Sequence, residues 1–197
     1  MTTSTPLWRA LAFVLALVLP VGRIEAQPGL LSVVRTVSIA ATKGSSISVS
    51  VVSGSSQTLT SIVDNTANNF PTPVRIQTSW DLPGGVPTVR LVAYFTNPAQ
   101  ALVNGTSVLS TARMKGRVLT TPITTWQPTT WTAFTQNSTR GVGVNGATLR
   151  LFRIPITAAN QKASRTLDLE LQLDLTGQAP INAGVWTGTV NVRAIAI

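Results

Sequence analysis

Five leucines at every second position constrain this chain more than any other feature. Leu167, Leu169, Leu171, Leu173 and Leu175 alternate with Asp168, Glu170, Gln172 and Asp174. Side chains along a strand point to opposite faces in turn, so the run presents one leucine face and one polar face. A second stretch follows, in which Thr189, Asn191 and Arg193 alternate with Val190, Val192 and Ala194 before the chain closes on Ile195, Ala196 and Ile197. Between them, residues 177–184 (Gly-Gln-Ala-Pro-Ile-Asn-Ala-Gly) supply the turn. Apolar strand faces need a second layer to cover them. The sequence therefore predicts an all-β fold, a single antiparallel β-sandwich of immunoglobulin-like or jelly-roll-like type.

The rest of the chain repeats the pattern at intervals of about eight to twelve residues, the spacing expected of a sandwich. Residues 30–39 are apolar and β-branched. In 46–52, Ile47, Val49 and Val51 alternate with Ser46, Ser48 and Ser50, which describes a half-buried strand. Further strands are expected at 58–63, 74–80, 89–95, 107–112 and 148–157. Pro71 and Pro73 make 66–73 a loop, and Pro155 calls for an edge position or a bulge. Segments 74–80 and 89–95 are expected to pair as a hairpin across 81–88. Residues 100–103 suit a turn of helix or an edge, and 117–139 suit short strands joined by loops. No helix longer than a turn and no internal repeat is expected.

The N-terminus has the pattern of a secretory signal over residues 1–26. Arg9 precedes an apolar run at 10–19, Pro20-Val21-Gly22 breaks it, and Ile24-Glu25-Ala26 offers a cleavage site before Gln27. The alternative, an uncleaved anchor, would need a run closer to the roughly 20 residues that span a bilayer. No later stretch suits a membrane-crossing helix. Export then leaves residues 27–197 as one domain, secreted, periplasmic or at the cell surface and not an integral membrane protein. Its first segment, 27–41, is a candidate extended arm, in which Val33, Val34, Val37 and Ile39 would complete a neighbour's sheet. The competing expectation is an ordinary first strand paired within its own domain. The chain has no cysteine, so an exported form gains nothing from disulfides.

Function is far less legible. The chain has neither histidine nor cysteine, which excludes Ser-His-Asp and Cys-His chemistry and leaves transition metals almost no ligands. Neither an enzyme, a cofactor nor a metal site is expected. Gly141, Gly143 and Gly146 match the spacing of a dinucleotide fingerprint, but the strand-like segment after them replaces the helix that motif requires, and Asn145-Gly146 fits a hairpin turn. Asp168, Glu170 and Asp174 share one strand face, with neighbours about 6.5–7 Å apart by strand rise. That is within reach of glycoside hydrolysis or a Ca²⁺ site, but pairing with Arg or Lys on a neighbouring strand is the ordinary fate of such charges. Trp80 and Trp186 are expected in the core. Trp126 and Trp131, in a polar loop-like segment, are candidates for stacking sugar rings. Asn104 and Asn137 stand in glycosylation spacing.

Lys and Arg number 15 against 6 Asp and Glu, for a net charge of +9. Such an excess favours an anionic envelope or polysaccharide surface as partner. The basic residues are scattered, however, apart from Arg113, Lys115 and Arg117, and a scattered excess commonly serves solubility. No aromatic interleaves that cluster, so nucleic acid is not an expected partner.

Residues 183–192 (Ala-Gly-Val-Trp-Thr-Gly-Thr-Val-Asn-Val) resemble the ending of bacterial secreted β-sandwich proteins, among them pilin-like subunits, spore-coat-U-like proteins and immunoglobulin-like surface domains. The chain departs from the pilin pattern in having no cysteine pair and no aromatic near its C-terminus. The resemblance implies a structural or adhesive role. The resulting expectation is an exported structural or surface-assembly protein, a homo-oligomer or filament that self-associates through β-strand contacts. The alternative is a carbohydrate-binding module or adhesin using Trp126 and Trp131.

Overall fold

The computed structural model describes residues 44–85, 88–119 and 126–197. The signal segment and the candidate arm, with Val33, Val34, Val37 and Ile39, lie outside the described residues. Eleven strands follow one another: β1 (Ser46–Ser53), β2 (Ala67–Asn69), β3 (Val74–Asp81), β4 (Thr88–Tyr94), β5 (Leu102–Asn104), β6 (Ser107–Leu109), β7 (Met114–Val118), β8 (Thr132–Ala133), β9 (Thr148–Pro155), β10 (Lys162–Asp174) and β11 (Asn191–Ala196). One 3₁₀ turn, Thr111–Arg113, precedes β7.

The first sheet runs β1-β3-β10-β7-β8, with β2 also against β10; the second runs β11-β4-β9; β5 and β6 form a separate two-stranded ribbon. Every pairing is antiparallel. The leucine strand β10 lies at the centre of the first sheet, where its apolar face is covered along its length. Leu167, Leu169, Leu171, Leu173 and Leu175 are all buried, and they share one core with Val89, Leu91, Ala93, Leu149, Leu151, Phe152 and Ile154 of the second sheet. The molecule is an all-β antiparallel sandwich, as the alternation predicts. The layers close tightly at Gly116, where a Cβ would stand 2.6 Å from Leu149 Cδ2 and 3.0 Å from Leu169 Cδ1. Trp80 is buried as expected, and its Nε1–H donates to the Asn160 carbonyl at 2.8 Å.

Three expectations are corrected. Segments 74–80 and 89–95 do not form a hairpin. β3 pairs with β1 and β10 while β4 pairs with β11 and β9, so the two lie in different layers. The reason is burial. β4 is buried on both faces over its first six residues, the environment of the middle strand of a sheet, and it lies between β11 and β9. Residues 58–63 form no strand. The Asn68 side chain takes up the Val63 backbone instead, accepting its N–H at 2.8 Å and donating to its carbonyl at 3.0 Å, and β2 forms within what reads as a loop. Strand β6 stops at Leu109, short of 112, because the 3₁₀ turn begins at Thr111.

Candidate functional site

The polar face of β10 is neutralised residue by residue. Arg75 on β3 holds Asp168 through two hydrogen bonds, Nε to Oδ1 at 2.8 Å and Nη2 to Oδ2 at 2.9 Å. Arg117 on β7 pairs with Glu170, and Lys115 with Asp174. The Arg75 hydrogen bond lowers the pKa of Asp168, and Lys115 with Thr176 draws Asp174 down to about 2. A general acid for glycoside chemistry needs the opposite shift. Among the described residues no group of three or more His, Cys, Asp or Glu could hold a metal ion.

Trp126 and Trp131 are both half-buried, but they belong to different surroundings. The guanidinium of Arg117, in the first sheet, lies 4.6 Å from the centre of the Trp131 ring. Trp126 instead meets arginines of the second sheet: the Cζ atoms of Arg90 and Arg150 each lie 5.1 Å from its ring centre, and that of Arg153 lies 5.9 Å away. The structure thus does not bring the two tryptophans together as one stacking platform. Trp186 is half-buried against the core and donates through Nε1 to the Asn182 carbonyl at 3.0 Å. Asn104 is the last residue of β5, and its Nδ2 donates to the Ala183 carbonyl at 3.2 Å.

The arginines around Trp126 share a face because of a bulge. On β4, Arg90 and Val92 point away from the core that Val89, Leu91 and Ala93 fill. Opposite them on β9, Arg153 pairs with Arg90 and Arg150 with Val92, with a register shift between Leu91 and Val92 that leaves Leu151 as the extra residue. Residues three apart on a regular strand face opposite ways. The bulge restores Arg150 and Arg153 to one face. Sequence reasoning misses this cluster, since the basic residues read as scattered, and Pro155 is accommodated by the edge position of β9 rather than by the bulge at Leu151.

A second feature lies at the other side of the sandwich. Strand β1 ends the first sheet and, among the described residues, pairs only with β3. Its sequence, Ser-Ile-Ser-Val-Ser-Val-Val-Ser, carries no charge and no proline, and Val51 and Val52 are 41% and 56% exposed. Beside Val51 a groove of about 640 Å³ opens between the layers, walled by Phe70, Phe95, Met114, Leu171, Trp186 and Val190. Core side chains thus line an accessible space, so among the described residues this side of the sandwich is incompletely covered. Among the described residues no helix is long and apolar enough to cross a membrane.

No family model matches this chain, and no curated protein or solved structure matches it. The class that can be stated is that of the fold, an all-β antiparallel sandwich.

Proposed function

We propose that this is an exported structural protein that associates with copies of itself, or with a surface, by adding a β-strand to the edge formed by β1. The observation that carries this reading is the edge itself. Among the described residues β1 has a partner on one side only. An exposed, uncharged strand of eight residues with a free side is a template for another strand, and natural edges are commonly blunted by lysine, proline or a covering segment. Here a bulge between Val51 and Ser53 distorts only one end, and the register is regular from Ser46 to Val51. The adjoining groove supplies apolar pockets for alternate side chains of an added strand, which is how strand addition gains specificity. An apolar extended segment such as 27–41, with Val33, Val34, Val37 and Ile39, has the composition such a strand needs. The pilin-like resemblance of residues 183–192 agrees with the same role.

Stacking of sugars on Trp126 and Trp131 has less support, because each ring already carries guanidinium groups.

The test is Ser48→Lys with Ser50→Lys, both at exposed positions of β1. The wild-type protein is expected to form oligomers or filaments by light scattering and negative-stain microscopy, and the double variant to remain a folded monomer by circular dichroism. A wild-type protein that stays monomeric at every concentration overturns the proposal.

A further inference from the structure

The arginine cluster on the outer face of the second sheet is a different place from the β1 edge, and it is costly in a way the fold does not explain. Arg90 is only 9% exposed. Its direct cross-strand neighbour is Arg153, and like charges directly opposite destabilise a sheet. Burial, then the charges of Arg153, Arg140 and Arg150, lower the Arg90 pKa. The Nε–H groups of Arg90 and Arg150 are buried with no hydrogen-bond partner. Such donors ordinarily find acceptors, and each one left without costs about 1–3 kcal/mol.

No carboxylate among the described residues pairs with Arg90 or Arg150. Asp168, Glu170 and Asp174 are held by Arg75, Arg117 and Lys115 on the first sheet, Asp81 lies 4.0 Å from the Lys162 ammonium, and Asp64 accepts the Ile181 N–H. The Trp126 ring offers attraction for the guanidiniums through its face, about 0.5–2 kcal/mol each, but it leaves both Nε–H donors unbonded, and among the described residues Arg150 reaches only the Asn137 carbonyl, through Nη2 at 3.3 Å. Arg140 adds strain of its own. It stands at φ 47° with Gly141 at φ 73°, in a turn closed by hydrogen bonds in both directions between Thr139 and Val142. That left-handed position is one where glycine, asparagine or aspartate is the usual choice. An arginine held there at a conformational cost, its charge acting on a buried Arg90 whose Nε–H has no acceptor, describes a site awaiting negative charge.

We propose that Arg90 and Arg150, walled by Trp126 and rimmed by Arg140 and Arg153, bind a tetrahedral oxyanion, a phosphate or sulfate group. One guanidinium satisfies a carboxylate through its fork of two donors. Arg90 and Arg150 each lie 5.1 Å from the Trp126 ring centre, and two such forks about one ring match an ion with three or four acceptor oxygens. The ion would accept the orphaned Nε–H groups and offset the like-charge repulsion across β4 and β9. The same group occurs free or as an ester on a sugar, and the test separates these sources.

Purified protein is titrated with sodium phosphate, sodium sulfate and glucose 6-phosphate at ionic strength held constant with sodium chloride, with calorimetry and tryptophan fluorescence as readouts. Saturable binding is expected, with a fluorescence change that disappears in Trp126→Phe. Arg90→Met and Arg150→Met should each weaken binding at least about tenfold, the scale of one lost charge-assisted hydrogen-bond pair. Arg165→Met, an exposed arginine on β10, should leave it unchanged. Tighter binding of glucose 6-phosphate than of phosphate identifies a sugar ester as the ligand, and equal binding identifies the free ion. Phosphate should also raise the melting temperature of the wild type but not of Arg150→Met, a readout that stands even if Arg90→Met does not fold. Absence of saturable binding by all three anions up to about 10 mM, or equal weakening by Arg165→Met, overturns the assignment.

Discussion

Asp174 shows how one side chain ties the polar face of β10 to stability. Its carboxylate is held by Lys115 and accepts the Thr176 N–H at 3.0 Å, and its pKa falls from 3.8 to about 2. A carboxyl whose folded pKa lies below its unfolded value stabilises the fold at neutral pH. That contribution fades as pH drops through the interval between the two, here from about 4 to about 2. The group is only partly shielded from solvent, so the contribution is about 1–2 kcal/mol. Asp174→Asn should lose this amount at pH 7, and the gap between wild type and variant should close by about pH 2. Urea unfolding at the two pH values measures it, and a gap of equal size at both would show that charge is not the cause. That these acids would pair with basic residues on neighbouring strands is legible in the sequence. Which cation meets which acid is not, because it depends on the register of β3 and β7 against β10, and register is set by contacts between strands 53 to 93 residues apart.

At the scale of the element, the legible strands are those that alternate over several residues and bury one face. β3 and the leucine half of β10 follow their patterns almost residue for residue, while β1 alternates only as far as Ser50. The illegible features arise where a side chain or a second layer overrides local pattern. Asn68 captures the Val63 backbone and so removes 58–63 from any sheet, while the three residues of β2 gain their identity only from β10. The bulge in β9 likewise cannot be read locally, and it decides which arginines share a face. β10 carries the largest consequence. Leu173 is 0% exposed at the centre of the core, and its truncation leaves a cavity that neighbours on two sheets cannot fill. Leu173→Ala is expected to cost about 2–5 kcal/mol by denaturant unfolding. A loss under about 1 kcal/mol would mean that the adjoining groove lets the site collapse, a behaviour the rest of the core does not share.

At the scale of the whole sandwich, both sheets depend on one core and on partners distant in sequence. Arg75 meets Asp168 across 93 residues, and Gln172 meets Asn69 across 103. Loop-closure entropy must be overcome before such contacts stabilise anything, so chains dominated by them fold slowly. With no cysteine in the chain, no cross-link shortens those loops in the unfolded state. Neither layer holds a core of its own, since Leu149 and Leu151 of the second sheet complete the same cluster as the β10 leucines. Refolding from denaturant should therefore take milliseconds to seconds, and the β4 and β10 amides should exchange with solvent through one shared opening of equal free energy. Stopped-flow fluorescence and native-state hydrogen exchange test the two statements separately. Microsecond refolding would contradict the non-local topology, whereas β4 amides opening well below the free energy of β10 would show that the second sheet detaches alone. The latter result would also bear on association, because a layer that detaches exposes the core leucines directly, and oligomers could then form without any use of the β1 edge.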